Sequence, residues 1–144
     1  MNILLVDDDP DEQQAFAKAV PKLGLPITLN FAQDYEELMK ILETPHNINL
    51  IFLDINMPVK DGKKCLRELK SNEKYKHIPV LVYTVSQSIE DINEVYRDGA
   101  HYYAIKPYAE SNFIETLKLI FNIDWTVEQR IPGINDFVIN LAFI

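Results

Sequence analysis

Five short runs of apolar and β-branched residues punctuate the chain at nearly regular intervals. They lie at residues 2–6, 27–31, 49–53, 78–83 and 101–105, and each is five or six residues long. That length fits one β-strand. The third and fourth runs are almost wholly apolar, as expected for strands of a parallel sheet that helices cover on both faces.

Segments with the apolar spacing of amphipathic helices separate these runs. Apolar side chains recur every three or four positions, so they share one face of a helix. The predicted helices lie at residues 10–23, 33–43, 63–71, 88–97 and 109–121. Strand and helix therefore alternate five times. With right-handed crossovers, this order predicts an α/β fold: a doubly wound, five-stranded parallel sheet with helices on both faces.

Acidic, hydroxyl and basic side chains follow the predicted strands at the point where each strand ends. They are Asp7, Asp8 and Asp9 after the first run, Asp54 after the third, Thr84 after the fourth and Lys106 after the fifth. The carboxyl ends of parallel strands share one edge of the sheet, and doubly wound sheets bind ligands outside that edge. We therefore expect these side chains to converge.

Carboxylates crowded at that edge repel one another, by about 1 kcal/mol in water and several-fold more near a protein interior. A bound cation would relieve the repulsion. Asp8 and Asp54, with a water or a backbone carbonyl, supply the hard oxygen ligands that Mg²⁺ prefers. The acidic residues at positions 9–12 are better explained as an ordinary helix start. The metal prediction therefore rests on Asp7, Asp8 and Asp54.

Lys106 and Thr84 each have a simpler explanation when taken alone. A lysine at a strand end is usually solvated, and threonine is common in strands. Beside carboxylates, Lys106 would instead form a charge-assisted pair and neutralise an incoming phosphoryl group. The hydroxyl of Thr84 would then donate to a phosphate oxygen. The bond between Lys106 and Pro107 is a candidate cis peptide, which would fix the direction of the lysine.

Composition narrows the classes of partner. The chain has 144 residues, 47% of them hydrophobic, which suits one domain with one core. Twenty-two acidic against fourteen basic residues give a formal net charge of -8, which argues against broad binding to nucleic acid. Cys65 is the only cysteine. No uncharged run reaches the roughly 18 residues of a membrane span, and no secretory signal is visible. We expect a soluble cytoplasmic protein with no nucleic-acid or membrane partner.

Four motifs, VDDDP, LDINMPVKDG, YTVS and IKPY, occur in that order along the chain. Together they resemble the signature of the response-regulator receiver family, the phosphoacceptor half of two-component signalling. The resemblance covers about residues 1–121 and implies the flavodoxin-like strand order 2-1-3-4-5. It also implies a histidine kinase or phosphotransfer protein as phosphoryl donor and an unidentified downstream protein as target. With only about twenty residues after the fifth helix, the chain is similar to single-domain chemotaxis-type and phytochrome-associated receivers.

The resemblance further implies a role for each acidic motif residue. Asp54 would be the phosphorylation site, in a reaction that depends on Mg²⁺. Asp8 would ligate the ion directly, Asp7 would act mainly through water, and the backbone carbonyl of Asn56 would complete the protein ligands. The loop after the phosphorylation site would comprise Met57, Pro58, Asp61 and Gly62, with Gly62 allowing a tight turn.

The remaining motif residues would bind the phosphoryl group or respond to it. Lys106 would bind it, Thr84 would be the switch hydroxyl, and Tyr103 would be the aromatic residue that rotates inward on activation. The surface of the fourth helix, fifth strand and fifth helix would change as a result. The family usually has alanine or glycine after the switch threonine. Val85 stands there in this chain, so we expect narrower access and slower phosphotransfer.

Two other functions compete with this reading. A metal-dependent phosphatase of the dehalogenase-like kind would use Asp54 as nucleophile, but such enzymes need a second aspartate two residues later, where this chain has Asn56. A receiver that works only as a docking module usually loses one of the acidic, threonine or lysine positions, and all are present here. The sequence therefore favours a phosphoacceptor signalling protein over an enzyme with an external substrate.

The tail invites several interpretations. We divide the chain into a receiver domain, residues 1–123, and an apolar extension, residues 124–144. The extension carries a heavy apolar load for a terminus, which is unfavourable in water. It would pack back onto its own domain or pair with a second copy to form a homodimer. The stretch FVINLAFI fits an edge strand or a short helix, and periodicity does not decide between them.

Overall fold

The computed structural model describes residues 1–57, 61–125 and 131–140. Its strands are β1 (Asn2–Val6), β2 (Thr28–Ala32), β3 (Leu50–Leu53), β4 (Val80–Thr84), β5 (Tyr102–Ile105) and β6 (Val138–Ile139). Its helices are α1 (Pro10–Ala19), α2 (Tyr35–Glu43), α3 (Gly62–Ser71), α4 (Ile89–Arg97), α5 (Glu110–Phe121) and α6 (Ile134–Phe137), and a 3₁₀ turn (Val20–Leu23) follows α1. The predicted Pro58 lies outside the described residues.

The strands form one parallel sheet in the order β2-β1-β3-β4-β5-β6. The predicted α/β class and the order 2-1-3-4-5 are therefore confirmed, and β6 adds a sixth strand beside β5. The order reverses at β1, which lies between β2 and β3. In a doubly wound sheet this reversal opens a crevice at the carboxyl ends of the neighbouring strands, where a ligand binds.

Alternate side chains of each strand pack on opposite faces of the sheet. On one face lie α1 and α5, whose rings build an aromatic cluster with the strands. Phe16 of α1 meets Phe52, Tyr83 and Phe113 edge to face, with ring centroids 5.2 to 5.4 Å apart. Each such pair adds about 1 kcal/mol beyond its buried area. This cluster holds α1 and α5 against β3 and β4 on this face of the sheet.

The opposite face carries α2, α3 and α4. Leu38 and Leu42 of α2, Leu66 and Leu69 of α3 and Val95 of α4 are buried there against β1, β3 and β4. With helices on both faces, β3 and β4 are buried along their whole length. That burial explains why their sequences are almost continuously apolar.

The start of α1 agrees with the ordinary helix start expected for residues 9–12. The side chain of Asp9 accepts a hydrogen bond from the backbone N–H of Asp11 and so caps the helix. The predicted helix 10–23 was too long, because Pro21 cannot donate a backbone hydrogen bond and the α-helix ends at Ala19.

Gly62 opens α3 for a reason that differs from the predicted one. Among the described residues, only Gly24 and Gly99 have positive φ, so no special turn conformation is needed at Gly62. A side chain there would instead collide with the backbone carbonyl of Asp54. Glycine therefore allows α3 to start directly against the end of β3.

Replacing Gly62 with alanine is expected to lower the free energy of unfolding by about 1–3 kcal/mol, because the new methyl group would force the end of β3 away from α3. Gly133→Ala is the matched control, since a methyl group at that position meets open space. We expect it to change the same quantity by less than about 0.5 kcal/mol. Urea denaturation measures both, and equal stabilities of the two variants would contradict the packing argument.

The C-terminal residues 131–140 form one helical turn, Ile134–Phe137, and a two-residue strand, Val138–Ile139. Within FVINLAFI, which starts at Phe137, the described residues therefore show the strand that was one of the two predicted conformations, and the helical turn lies mostly before this stretch. Val138 pairs with Tyr103 and Ile139 with Ala104 of β5 in parallel register. This part of the extension packs on its own domain. The apolar residues Leu141, Phe143 and Ile144 lie outside the described residues, and the domain division at residue 123 stays a prediction.

Candidate functional site

Three carboxylates meet at the carboxyl ends of β1 and β3. Val6 and Leu53 are register partners, so Asp7 and Asp54, the residues after them, emerge side by side. One carboxylate oxygen from each of Asp7, Asp8 and Asp54 lies within 4.8 Å of the other two. Asp7 is fully buried, Asp54 is 7% exposed and Asp8 faces solvent. The predicted convergence of these three side chains is thus present in the structure.

Lys106, at the end of β5, reaches back across the sheet edge to this cluster. Its Nζ lies 2.7 Å from Asp7 Oδ2 and 3.3 Å from Asp54 Oδ2, and Glu12 Oε2 is 3.9 Å away. The same Nζ lies 5.6 Å from the centre of the Tyr83 ring. No cis peptide bond occurs among the described residues, so the bond between Lys106 and Pro107 is trans. The direction of the lysine is fixed by its ion pairs instead.

Burial and ion pairing shift the pKa values of these groups in opposite directions. Burial raises the pKa of Asp7, while the hydrogen bond from Lys106 opposes the shift. Burial likewise raises the pKa of Glu12, again opposed by the charge of Lys106. For Lys106, burial alone would lower the pKa, but the bond to Asp7 and the charge of Asp54 outweigh it and raise the pKa. The lysine is therefore held in its charged form.

The single charge of Lys106 does not neutralise the carboxylate cluster. Asp7, Asp8, Asp54 and Glu12 contribute up to four negative charges, and Lys106 returns one. The available donors are all oxygen, the set that hard divalent cations prefer over softer metals. The residues present therefore fit a divalent cation, and the buried carboxylates of Asp7 and Asp54 would gain most from its charge.

Asn56 joins the acidic cluster to the buried hydroxyl of Thr84. The backbone N–H of Asn56 donates to Asp54 Oδ1 at 3.0 Å, and its side-chain amide donates to Thr84 Oγ1 at 3.1 Å. Thr84 is completely buried, and its Oγ1 also accepts a longer bond of 3.4 Å from the backbone of Ser86. A change at Asp54 can thus reach Thr84 through a single residue.

Tyr103 lies inside the protein, one strand away from this network. It is fully buried, and its hydroxyl donates to the backbone carbonyl of Ser86 at 2.8 Å. Burial raises its pKa. Ser86 therefore contacts both predicted switch residues, Thr84 through its N–H and Tyr103 through its carbonyl. Val85, between Thr84 and Ser86, is 54% exposed.

Sequence reasoning missed three contributors to the site. Glu12 faces Lys106, and the side chain of Gln13 donates to the backbone carbonyl of Asp7 at 3.1 Å. Ser86 bridges the two switch residues, and its hydroxyl bonds Asp91 of α4. The position of Glu12, one helical turn after Asp8, was an available signal. Ser86 ends the YTVS motif, but its contacts with Thr84 and Tyr103 use backbone groups, so its residue type did not reveal them.

Comparison with known proteins identifies the class. The family model for the response regulator receiver domain matches residues 3–118. The chain is 30% identical over 121 residues to chemotaxis protein CheY of Pseudomonas aeruginosa, covering 84% of this chain and 96% of that protein. It is 30% identical over 139 residues to response regulator Rcp1 of Synechocystis, covering 91% and 92% respectively. The chain belongs to the response-regulator receiver family.

Solved structures agree with this assignment. The Mn²⁺-bound form of response regulator Rcp1 superposes with a TM-score of 0.77 at 28% identity, covering 92% of this chain and 99% of that one. The phosphorylated cyanobacterial phytochrome response regulator RcpA gives 0.79 at 28% identity, covering 92% and 98%. The protein is accordingly a phosphoacceptor of two-component signalling, a class that works with histidine kinases and downstream targets. None of the described helices is long and apolar enough to span a membrane.

Proposed function

We propose that Asp54 accepts a phosphoryl group from a histidine kinase or phosphotransfer protein in a Mg²⁺-dependent reaction, and that the modified surface changes affinity for a downstream protein. The observation that carries the proposal is the position of Lys106 Nζ, which contacts Asp7 and Asp54 at the open edge of the sheet. The ammonium group of Lys106 lies between two carboxylates, beside oxygen atoms that suit a metal ion. This arrangement suits phosphoryl transfer, which depends mostly on positioning and electrostatics.

Of the two buried carboxylates, Asp54 is better placed than Asp7 to be the acceptor. The side chain of Asp7 is 1% exposed, and its two oxygens accept bonds from Lys106 and from the backbone of Asp9. Asp54 keeps 10% of its side chain exposed and holds Oδ2 toward Lys106. Its Oδ1 is fixed by the N–H of Asn56, so Oδ2 is the oxygen that we assign as nucleophile.

The transfer balances with solvent as the source of one proton, and it needs no oxidant. Oδ2 of Asp54 bonds to phosphorus while the phosphorus–nitrogen bond of a phosphohistidine breaks, and the leaving imidazole keeps the electron pair and takes a proton from solvent. Asp7, Asp8, Asp54 and the carbonyl of Asn56 would hold Mg²⁺. The ion would neutralise charge on the transferring group. Lys106 would exchange its contact with Asp54 for one with a phosphoryl oxygen.

The same exchange would move the switch. Thr84 Oγ1 accepts bonds from Asn56 and Ser86, and its own O–H would donate to the new phosphoryl group. Displacement of Thr84 would shift the Ser86 backbone, which holds the hydroxyl of Tyr103. The contacts of α4 and β5 would then change as a two-state response to a local charge event.

Incubation with acetyl phosphate tests the proposal on the intact chain. With Mg²⁺, we expect one phosphoryl group per chain by intact-protein mass spectrometry, located on the peptide that contains Asp54. Chelation of Mg²⁺ by EDTA before the reaction is expected to abolish the added mass. A phosphoryl group on another residue, or equal labelling with and without EDTA, would contradict the assignment. Slow labelling would agree with the expected effect of Val85.

We also propose that the protein acts in a reducing cytoplasm. As a further partner, we propose a second copy of the chain. Ile131 and Ile134 support the homodimer, since they are 44% and 43% exposed in the C-terminal segment. The wild type is expected to have the mass of two chains in light scattering, and a variant with serine at both positions the mass of one. A wild-type mass of one chain would contradict the homodimer, and a variant mass of two chains would contradict the role of these two isoleucines.

A further inference from the structure

Residues 131–140, which we name the C-terminal cap, lie over the face formed by α4 and β5. Phe137 is fully buried there, with its ring centre 4.9 Å from that of Tyr96 and 6.2 Å from that of Tyr103. The hydroxyl of Tyr96 donates to the carbonyl of Pro132 at 2.8 Å. The cap thus covers the tyrosine that we assign to the switch.

The cap is held by few contacts. Phe137 is the one residue of the segment 131–140 that is buried, and β6 contributes only two residues to the sheet. The single turn of α6 begins at Ile134, and Gly133 before it has no side chain to cap the helix. Segments with so little buried surface open locally at a small fraction of the global unfolding free energy. The cap can therefore leave while the domain stays folded.

The face beneath the cap has the features of a peptide-binding site. The outer edge of β5 pairs with an extended parallel segment, which is one common mode of peptide recognition. Tyr96 and Tyr103 together hold an aromatic ring in a buried slot. Beyond the ring, Val138 and Ile139 pack on opposite faces of the sheet. The site therefore selects an aromatic residue followed by two β-branched residues.

We infer that the C-terminal cap is a tethered ligand of this face, and that a partner protein binds by placing an aromatic residue and two β-branched residues where Phe137, Val138 and Ile139 lie. A tethered segment competes at an effective concentration in the millimolar range, so it suppresses weak binders strongly. Because Tyr103 touches both Ser86 and Phe137, phosphorylation would set the strength of the cap. This last link rests on the function proposed for Asp54 and Tyr103.

A fluorescent synthetic peptide with the sequence of residues 131–140 tests the site in the full chain. Phe137→Ala should weaken only the tethered copy, so the peptide is expected to bind this variant about tenfold more tightly than the wild type. Asn135→Ala is the matched control, because Asn135 lies in the same segment but is exposed. It should resemble the wild type. Fluorescence anisotropy measures the three dissociation constants.

Two further variants separate docking from a loss of structure. Phe137→Leu removes less of the contact, and it should gain affinity in the same direction with an unchanged circular dichroism spectrum. Adding Tyr96→Ala to the Phe137→Ala chain should remove the slot and weaken the peptide about tenfold again. The inference is overturned if neither Phe137 variant gains affinity, or if a peptide with alanine in place of its phenylalanine binds equally well.

Phosphorylation provides an independent test of the link between Asp54 and the C-terminal cap. Acetyl phosphate with Mg²⁺ is expected to change the peptide affinity of the wild type by at least about fivefold and to leave that of Asp54→Asn unchanged, a shift within the range of allosteric coupling. An unresponsive wild type would overturn the link from Asp54 to the cap. Absence of the gain in the Phe137 variants would overturn the tethered ligand itself, whatever the state of Asp54.

Discussion

Asp54→Asn is expected to lose all detectable labelling by acetyl phosphate while remaining folded. The amide preserves the shape of the side chain and the oxygen that accepts the bond from the Asn56 N–H. It lacks the anionic oxygen that would attack phosphorus. The variant also exchanges an attraction to Lys106 for relief of repulsion from Asp7, so its free energy of unfolding should stay within about 1 kcal/mol of the wild type.

Asp11→Asn is the control for this experiment. Asp11 lies only a few residues from the acidic cluster along the chain but is exposed in the first turn of α1. We expect it to accept the phosphoryl group at the rate of the wild type in intact-mass measurements. Labelling of the Asp54 variant at the same rate would place the acceptor elsewhere and remove the central proposal.

Lys106→Met is expected to lower the free energy of unfolding by about 3 kcal/mol when no divalent cation is present. The lysine side chain is 12% exposed and faces Asp7, whose side chain is 1% exposed. Removing one partner of such a pair leaves an uncompensated buried charge, which is more costly than the pair was worth. Urea denaturation in EDTA measures the loss.

The same variant should bind Mg²⁺ more tightly than the wild type, by about tenfold, because one competing cation has left the cluster. Saturating Mg²⁺ is then expected to restore much of the lost stability, since a ligand of the folded state stabilises it. Isothermal titration calorimetry measures the affinity. A weaker affinity in the variant would show that the lysine supports the cation site instead of competing with it.

Lys22→Met serves as the control for the loss of a lysine. Lys22 pairs with Glu110 at 3.6 Å, but the two side chains are 61% and 80% exposed. Exposed pairs of this kind contribute little, so the stability should change by less than about 1 kcal/mol, with no dependence on Mg²⁺. A comparable loss in both variants would make burial irrelevant to the argument.

A short chain of contacts links the acidic cluster to the C-terminal cap. Thr84 is bonded to Asn56, Tyr103 is bonded to Ser86, and Phe137 lies on Tyr103. Each contact is local, yet together they connect the edge of the sheet at Asp54 with the far side of β5. A displacement of Thr84 could therefore reach Phe137 through Ser86 and Tyr103.

Much of the site could be predicted because it lies in positions that local patterns mark. Asp7, Asp54, Thr84 and Lys106 each follow an apolar run, and parallel strands bring the ends of such runs to one edge. The predicted strand positions agree with the structure within two residues at each end. Side-chain contacts between residues far apart in the sequence could not be predicted in this way. The identity of Lys106's nearest partner, Asp7, depended on side-chain geometry that no sequence spacing contains.

Local patterns were enough to predict the alternation of strands and helices and the set of reactive residues, because periodicity and strand ends are properties of neighbouring positions. The place of the tail, where Phe137 meets Tyr96 and Tyr103, depends on the folded sheet. Those contacts join residues more than thirty positions apart, and the short stretch around Phe137 fitted a helix and a strand equally well. Its conformation was settled by the free edge of β5 and the aromatic slot beside it, which exist only once the sheet has formed.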